Sequence, residues 1–226
     1  MNLNTLNEKM IVNKKCITRL SRYRKALLRL KDLGFVRVFS DTLGEAVGAT
    51  AAQVRKDFSL FGITGNKKGG YQVDILLEKL QNILGKDKDQ KVIVVGAGNI
   101  GTALIQYKGF ERERIKVVAG FDIDSAKINK KSKIPILSSD ELSTYVRKHD
   151  IQIGIIAVPD YAAQQVCEMM LSAGIKGILN FAPIRLRGSE EAIVNNVHLQ
   201  IELENVIYFV NALNKNKKNQ SISENM

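Results

Sequence analysis

The chain has 226 residues, 25% of them charged, and a formal net charge of +11. That length suits one large or two modest domains. No apolar run approaches the roughly 18 residues that cross a bilayer, and the N-terminus MNLNTLNEKMIVNKK lacks the charged-then-apolar order of a secretion signal. A soluble, cytoplasmic protein with no membrane partner is therefore expected. Cys16 and Cys167 match neither metal-ligand nor CxxC spacing. They fit packing roles in a reducing compartment, and no metal site is expected. The charge is uneven: residues 1–88 carry 17 Lys and Arg against 8 Asp and Glu, residues 89–226 carry 17 against 15. The excess predicts a polyanion partner for the first part and a different task for the second.

In chain order, residues 1–15 read as an N-terminal extension. A first helix follows, with Leu20, Tyr23, Leu27, Leu30 and Leu33 at helical spacing, Arg19, Arg22 and Lys25 among its basic residues, and Gly34 as its stop. A short extended piece spans 35–39. Ser40 reads as the N-cap of a second helix that Gly48 ends. Thr50 with Gln53 three later forms a capping box for a third helix. There Val54 and Phe58 point to the core, while Ala51, Arg55, Lys56 and Ser59 lie mostly elsewhere. Two short helices across Gly48-Ala49 make a helix-turn-helix whose second member reads the major groove. Arg55 and Lys56 suit guanine or phosphate, and Gln53 suits adenine unless the cap holds it. Residues 63–73 read as a hairpin wing with Lys67 and Lys68 at its tip and Gly70-Tyr71 on its return. A connecting helix over 74–84 completes a winged-helix domain at 16–85, and the polar stretch 86–90 is a linker.

From residue 91 to 213, strand and helix patterns alternate, which predicts a parallel, doubly wound, Rossmann-like sheet. The run VIVV breaks into Gly96-Ala97-Gly98-Asn99-Ile100-Gly101, a strand–turn–helix in which Gly96 allows the turn, Gly98 lets backbone approach a pyrophosphate and Gly101 allows close packing. A second strand ends in Asp122, 21 positions after Gly101, where an acid meets an adenosine ribose. The segment 127–138 predicts only a short crossover. Further strands are predicted at 152–158 and 177–181. The first ends at Val158-Pro159, the second runs into Asn180-Phe181-Ala182-Pro183, and both fall at the carboxyl edge where such sheets bind ligands. The last helix, 199–213, is apolar on more than one side and is expected to be buried, in a swapped arrangement with a second subunit. Residues 214–226 read as a disordered tail.

A basic winged helix joined to this glycine motif resembles the Rex family of redox-sensing transcriptional repressors. The residues that carry the resemblance are Arg19-Leu20 with Tyr23, the segment 53–58, Gly70-Tyr71, the 96–101 motif, Tyr107, Phe121-Asp122, Val158-Pro159 and the segment 174–183. The resemblance implies a homodimer with swapped C-terminal helices, NAD(H) as cofactor, and a double-stranded DNA operator that NADH releases while NAD+ permits binding. Two positions depart from it. The family commonly has an aspartate where this chain has His198, and pairs it with an arginine where this chain has Lys25. There the pair alternates with a contact to the tyrosine matched by Tyr107. A neutral histidine facing lysine does not reproduce a carboxylate–guanidinium pair.

The expected function is a non-enzymatic repressor that senses the NADH/NAD+ ratio on palindromic operators. The alternatives are a repressor on the same scaffold whose NADH response is lost or redirected to another adenine nucleotide such as coenzyme A, and a small NAD-dependent oxidoreductase.

Overall fold

The computed structural model describes the backbone of residues 3–66 and 69–223, and the side chains of 14–66 and 69–215. The chain divides into two compact units, Met1–Asp89 and Gln90–Met226.

The first unit contains α1 (Leu3–Asp32), β1 (Arg37–Val38), α2 (Ser40–Val47), α3 (Ala51–Ser59), β2 (Tyr71–Gln72) and α4 (Val73–Ile83). The apolar stripe of α1 supplies Leu20, Tyr23 and Leu27, which join Leu43, Val54, Phe58, Leu76 and Leu80 in one buried core. Phe58 is the hub of its aromatic packing, meeting Tyr23 and Tyr71 edge-on at centroid distances of 5.4 and 5.2 Å. With no Gly or Pro before Gly34, nothing stops the helix upstream, and α1 takes in most of the stretch read as an extension. The N-cap of α2 is Phe39, not Ser40, and it makes no side-chain cap bond. The wing also differs from a simple hairpin. Asn66 and Gly70 close its turn through reciprocal backbone bonds of 3.0 and 2.8 Å, and the returning β2 pairs with β1, the extended piece before α2. Lys67 and Lys68 lie outside the described residues.

The second unit contains β3 (Gln90–Val95), α5 (Asn99–Ile105), α6 (Gly109–Arg112), β4 (Ile115–Asp122), β5 (Ile136–Ser138), α7 (Leu142–His149), β6 (Ile153–Ile156), α8 (Asp160–Ala173), β7 (Gly177–Asn180), β8 (Ile193–Asn196) and α9 (Leu199–Ser223). Six parallel strands lie in the order β5-β4-β3-β6-β7-β8. The direction of winding reverses between β3 and β6, where a doubly wound sheet opens a crevice. Phe121, Ile93, Leu142, Ile151 and Ile156 are fully buried around it. Gly96 has φ +97°, and a side chain there would overlap the Ala157 carbonyl. One at Gly101 would overlap the Gly96 carbonyl. Both glycines let α5 seat against the β3–β6 seam.

The last helix differs from expectation in its length. It runs to Ser223, so the stretch read as a disordered tail is helical backbone as far as that residue, and 224–226 lie outside the described residues. No Gly or Pro interrupts 199–223, so a helix once nucleated propagates. Its apolar side chains are not buried within the chain. Leu199, Ile201, Leu203, Val206, Ile207, Phe209, Val210 and Leu213 are each roughly half or more exposed. Among the described residues no helix is long and apolar enough to cross a membrane.

Replacing Gly101 by alanine drives a methyl group into backbone and is expected to destabilise the second unit by about 2 kcal/mol. Gly98→Ala, whose methyl meets nothing within 4 Å, is expected to leave stability near wild type. Urea unfolding followed by circular dichroism checks the pair.

Candidate functional site

Thr50 starts α3 as read from the sequence: its Oγ1 accepts the Gln53 N–H at 3.1 Å. Only half of the capping box forms, because the Gln53 side chain turns the other way. The reason is Asp57, one turn along α3 and only 1% exposed. A buried carboxylate is costly unless its lone pairs are filled. Arg19 fills them with two prongs, Nε at 2.6 Å and Nη2 at 2.7 Å; Gln53 Nε2 donates at 2.7 Å and the Tyr23 hydroxyl at 3.0 Å. Burial alone pushes the Asp57 carboxyl up. The bonds from Arg19, Gln53, Tyr23 and Cys16 outweigh that and hold it below the usual carboxylate range. Arg19 and Gln53, read from the sequence as DNA-facing, thus direct their side chains into the unit.

What remains outward on α3 is Ala52, Arg55, Lys56 and Ser59, with Ala51 half-buried at its start. The Ser59 hydroxyl donates to the Lys56 carbonyl at 2.8 Å. Arg22 and Lys25 are exposed on α1. Tyr71 is a core residue rather than a surface one, because Phe58 needs its ring as an edge partner. Gly70, at φ +62°, lets the wing turn back against Val38 and Phe39. A groove of about 690 Å³ lies between α3 and the wing, with Phe39, Ser40, Ala51, Arg55, Asn66 and Gly70 among its walls. Sequence reasoning passed over Arg37, whose Nη1 donates to the Gly69 carbonyl at 2.9 Å and braces the wing. Its partner is 32 positions away, beyond any local signal.

In the second unit a cleft of about 1200 Å³ opens at the carboxyl ends of β3, β4 and β6. Gly96, Gly98, Asn99, Ile100, Asp122, Val158 and Pro159 line it. The three motif glycines divide the work. Gly96 and Gly101 are packing positions, whereas a side chain at Gly98 would enter open space. Asp122 is 8% exposed and ties the site together. One oxygen accepts the Ala97 N–H at 2.7 Å and Lys127 Nζ at 3.3 Å; the other accepts the Asp124 N–H at 2.9 Å. Burial raises the carboxyl, but the bonds from Asp124, Ala97 and Lys127 prevail and keep it low. A large cleft, a bare glycine floor and a fixed carboxylate at one end fit a dinucleotide.

Other predicted residues stand apart from that lining. Asn180 is fully buried and fastens the following loop, donating to the Ile184 carbonyl at 2.8 Å and to Asn196 Oδ1 at 2.9 Å, and accepting the Ala182 N–H at 2.9 Å. In that loop Phe181 is half-buried, Ala182 buried and Pro183 exposed. Tyr107 is exposed with its ring edge-on to Phe110. The half-buried His198 precedes α9, and its carbonyl accepts the Glu202 N–H at 3.1 Å. Neither cysteine is a ready thiolate. Burial pushes the Cys16 thiol up to about 11, with Asp57 adding to the rise, and burial raises Cys167 as well.

Comparison with known proteins agrees with this division. The model of a putative DNA-binding protein N-terminus matches residues 12–59, and that of a CoA binding domain matches 87–184. The redox-sensing transcriptional repressor Rex of Desulforamulus reducens is 42% identical over 83% of this chain and 90% of its own length. Its counterpart in Carboxydothermus hydrogenoformans is 43% identical over 83% and 91%. Among solved structures, the Rex-family repressor RSP in complex with β-NAD+ and operator DNA superposes with a TM-score of 0.84, at 35% identity, covering 92% of this chain and 96% of that one. RSP with β-NADH gives 0.79 at 35% identity, covering 91% and 97%.

The Asp57 cluster sets a pH dependence. Its folded-state pKa lies below the unfolded value of about 3.9, so its contribution is complete above that value and is lost as pH falls through the folded pKa. Asp122 acts with the same sign. Asp57→Asn is expected to cost about 3 kcal/mol at pH 7, since it strands Arg19, and to flatten the acid limb of the stability curve. Denaturant titrations of both proteins between pH 7 and pH 3 check this.

Proposed function

The chain belongs to the Rex family of redox-sensing transcriptional repressors, and we propose that it binds palindromic operator DNA as a homodimer and lets go when NADH fills the cleft at Asp122. The observation that carries this reading is the pairing, in one polypeptide, of an outward basic face on α3 with a dinucleotide-sized cleft that ends on a fixed carboxylate. Arg55, Lys56 and Ser59 face the major groove, with Arg22, Ser40, Ala51 and Gly70 beside them on the backbone or minor groove; Lys67 and Lys68 add cations for the same duplex. Arg19, Gln53 and Tyr71 act one step back, by fixing α3 and the wing. In the cleft, Gly98 admits the pyrophosphate, Asp122 takes the adenosine ribose, and Val158 and Pro159 wall the path toward the nicotinamide. The role is regulatory and cytoplasmic, without catalytic turnover.

Two recognition helices must sit about one helical turn, roughly 34 Å, or a multiple apart to meet two half-sites. A nucleotide changes that spacing only through unequal affinity for the two forms of the dimer. Bound NADH supplies an uncharged nicotinamide ring where NAD+ carries a positive one. An apolar lining favours the former, because an unpaired charge is costly to bury. A second reading keeps the operator and alters the release: Lys25 and His198 stand where the family commonly has an arginine and an aspartate, so the Tyr107-linked switch works without its usual ion pair.

Titrating operator binding at fixed salt with each nucleotide tests the proposal. NADH is expected to weaken binding at least about tenfold more than NAD+; equal effects remove the redox sensor and leave the repressor. The homodimer has its own test. Val206 and Phe209 are 58% and 64% exposed in one chain, so Val206→Glu with Phe209→Glu takes little from the monomer's own core. Sedimentation is expected to show the wild type as a dimer and the double variant as a folded monomer.

A further inference from the structure

Phe39 holds a position its chemistry does not explain. It is the N-cap of α2, where Ser, Thr, Asp or Asn serve best, and it makes no cap bond. Phe39 is 47% exposed, and its ring lies beside the wing: a Cβ at Gly70 would come within 3.1 Å of its Cδ1. It lines the groove between α3 and the wing, whose other walls include Ala51, Arg55, Asn66 and Gly70.

What fills that groove follows from duplex geometry. A helix in the major groove and a wing in the neighbouring minor groove straddle the sugar–phosphate strand that separates the two. Arg55 offers that strand a cation for a phosphate. Asp41 lies at the same groove with its Oδ1 on the Thr42 N–H, and its charge repels phosphate from that end. The non-ionic part of the strand is the deoxyribose, whose C2′ methylene is apolar. We propose that the Phe39 ring packs on a deoxyribose of the operator strand held between α3 and the wing, a contact that adds affinity without reading sequence. The inference rests on the operator-binding reading given above.

The test uses the full-length protein and a duplex that the wild type retains from a random-sequence pool. Binding is measured by fluorescence anisotropy over a range of salt for wild type, Phe39→Ser, Phe39→Leu and Arg55→Gln, with thermal unfolding of each. Phe39→Ser is expected to weaken binding roughly fivefold, by the same factor on the retained duplex and on a scrambled one. Its salt slope stays that of the wild type, and Phe39→Leu regains at least half of the lost log affinity. Arg55→Gln, by contrast, lowers the steepness of log affinity against log salt by about 1. Unchanged affinity in Phe39→Ser overturns the sugar contact, as does a slope reduced like that of Arg55→Gln. A lowered unfolding midpoint with no recovery in Phe39→Leu overturns it too, and makes the ring a structural prop. A wild type that retains no duplex overturns the operator reading itself, an outcome distinct from the others.

Discussion

A carboxylate taken out of water must have its lone pairs filled, and each unit of this protein is organised around one such group. Asp57 is the anchor of the first. Removing a side chain of that charge from solvent is unfavourable until Arg19, Gln53 and Tyr23 converge on it. Because Arg19 and Tyr23 belong to α1 and Asp57 to α3, the network fixes the rotation of α3 about its own axis. With Val54 and Phe58 turned to the core, Arg55 and Lys56 have only solvent to face. The outward basic face of α3 is thus a consequence of a network made largely below the surface.

Asp122 repeats the device on the sheet. Its hold on the Ala97 N–H joins the end of β4 to the turn after β3, so the acid proposed for the ribose and the turn proposed for the phosphates are one rigid piece. Gly96 and Gly101 complete it by letting α5 close on the seam without a side chain between them. An acid that only touched the ribose would leave the turn to find its own shape. Here, loss of the carboxylate disturbs both ends of the cleft at once. The two units therefore share a design in which a buried charge is held by short bonds and a working surface is oriented by it.

Much of this was legible because the signals are local. The Thr50 cap, the helix stop at Gly48 and the close packing of Gly101 on the Gly96 carbonyl are set by residues a few positions apart, and the alternation after residue 90 fixed a parallel sheet. Partners distant in sequence were not legible. Asp57 and Arg19 are 38 positions apart, so nothing local showed that a basic residue on a helix is half-buried and tied to a carboxylate of another helix. Tyr71 was misplaced for the same reason, its burial depending on Phe58. The strands β5 and β8 are edge strands of three and four residues. One follows a polar run and the other lies in Ile-Val-Asn-Asn, too short for periodicity to separate from loop. The terminal helix reads differently again: its apolar wrap foretold burial, and within one chain those side chains are exposed, as the proposed burial against a second subunit requires.

The claim that orientation of α3, rather than direct contact, is the work of the Asp57 network can be tested with one comparison. Operator affinity is measured against salt for Arg19→Gln, with unfolding of the same protein. The predicted result is a weaker, less stable protein whose salt slope equals that of the wild type, since no phosphate contact has been removed. A protein of wild-type stability whose slope falls by about 1 would place Arg19 on a phosphate, and would contradict the role assigned to Asp57.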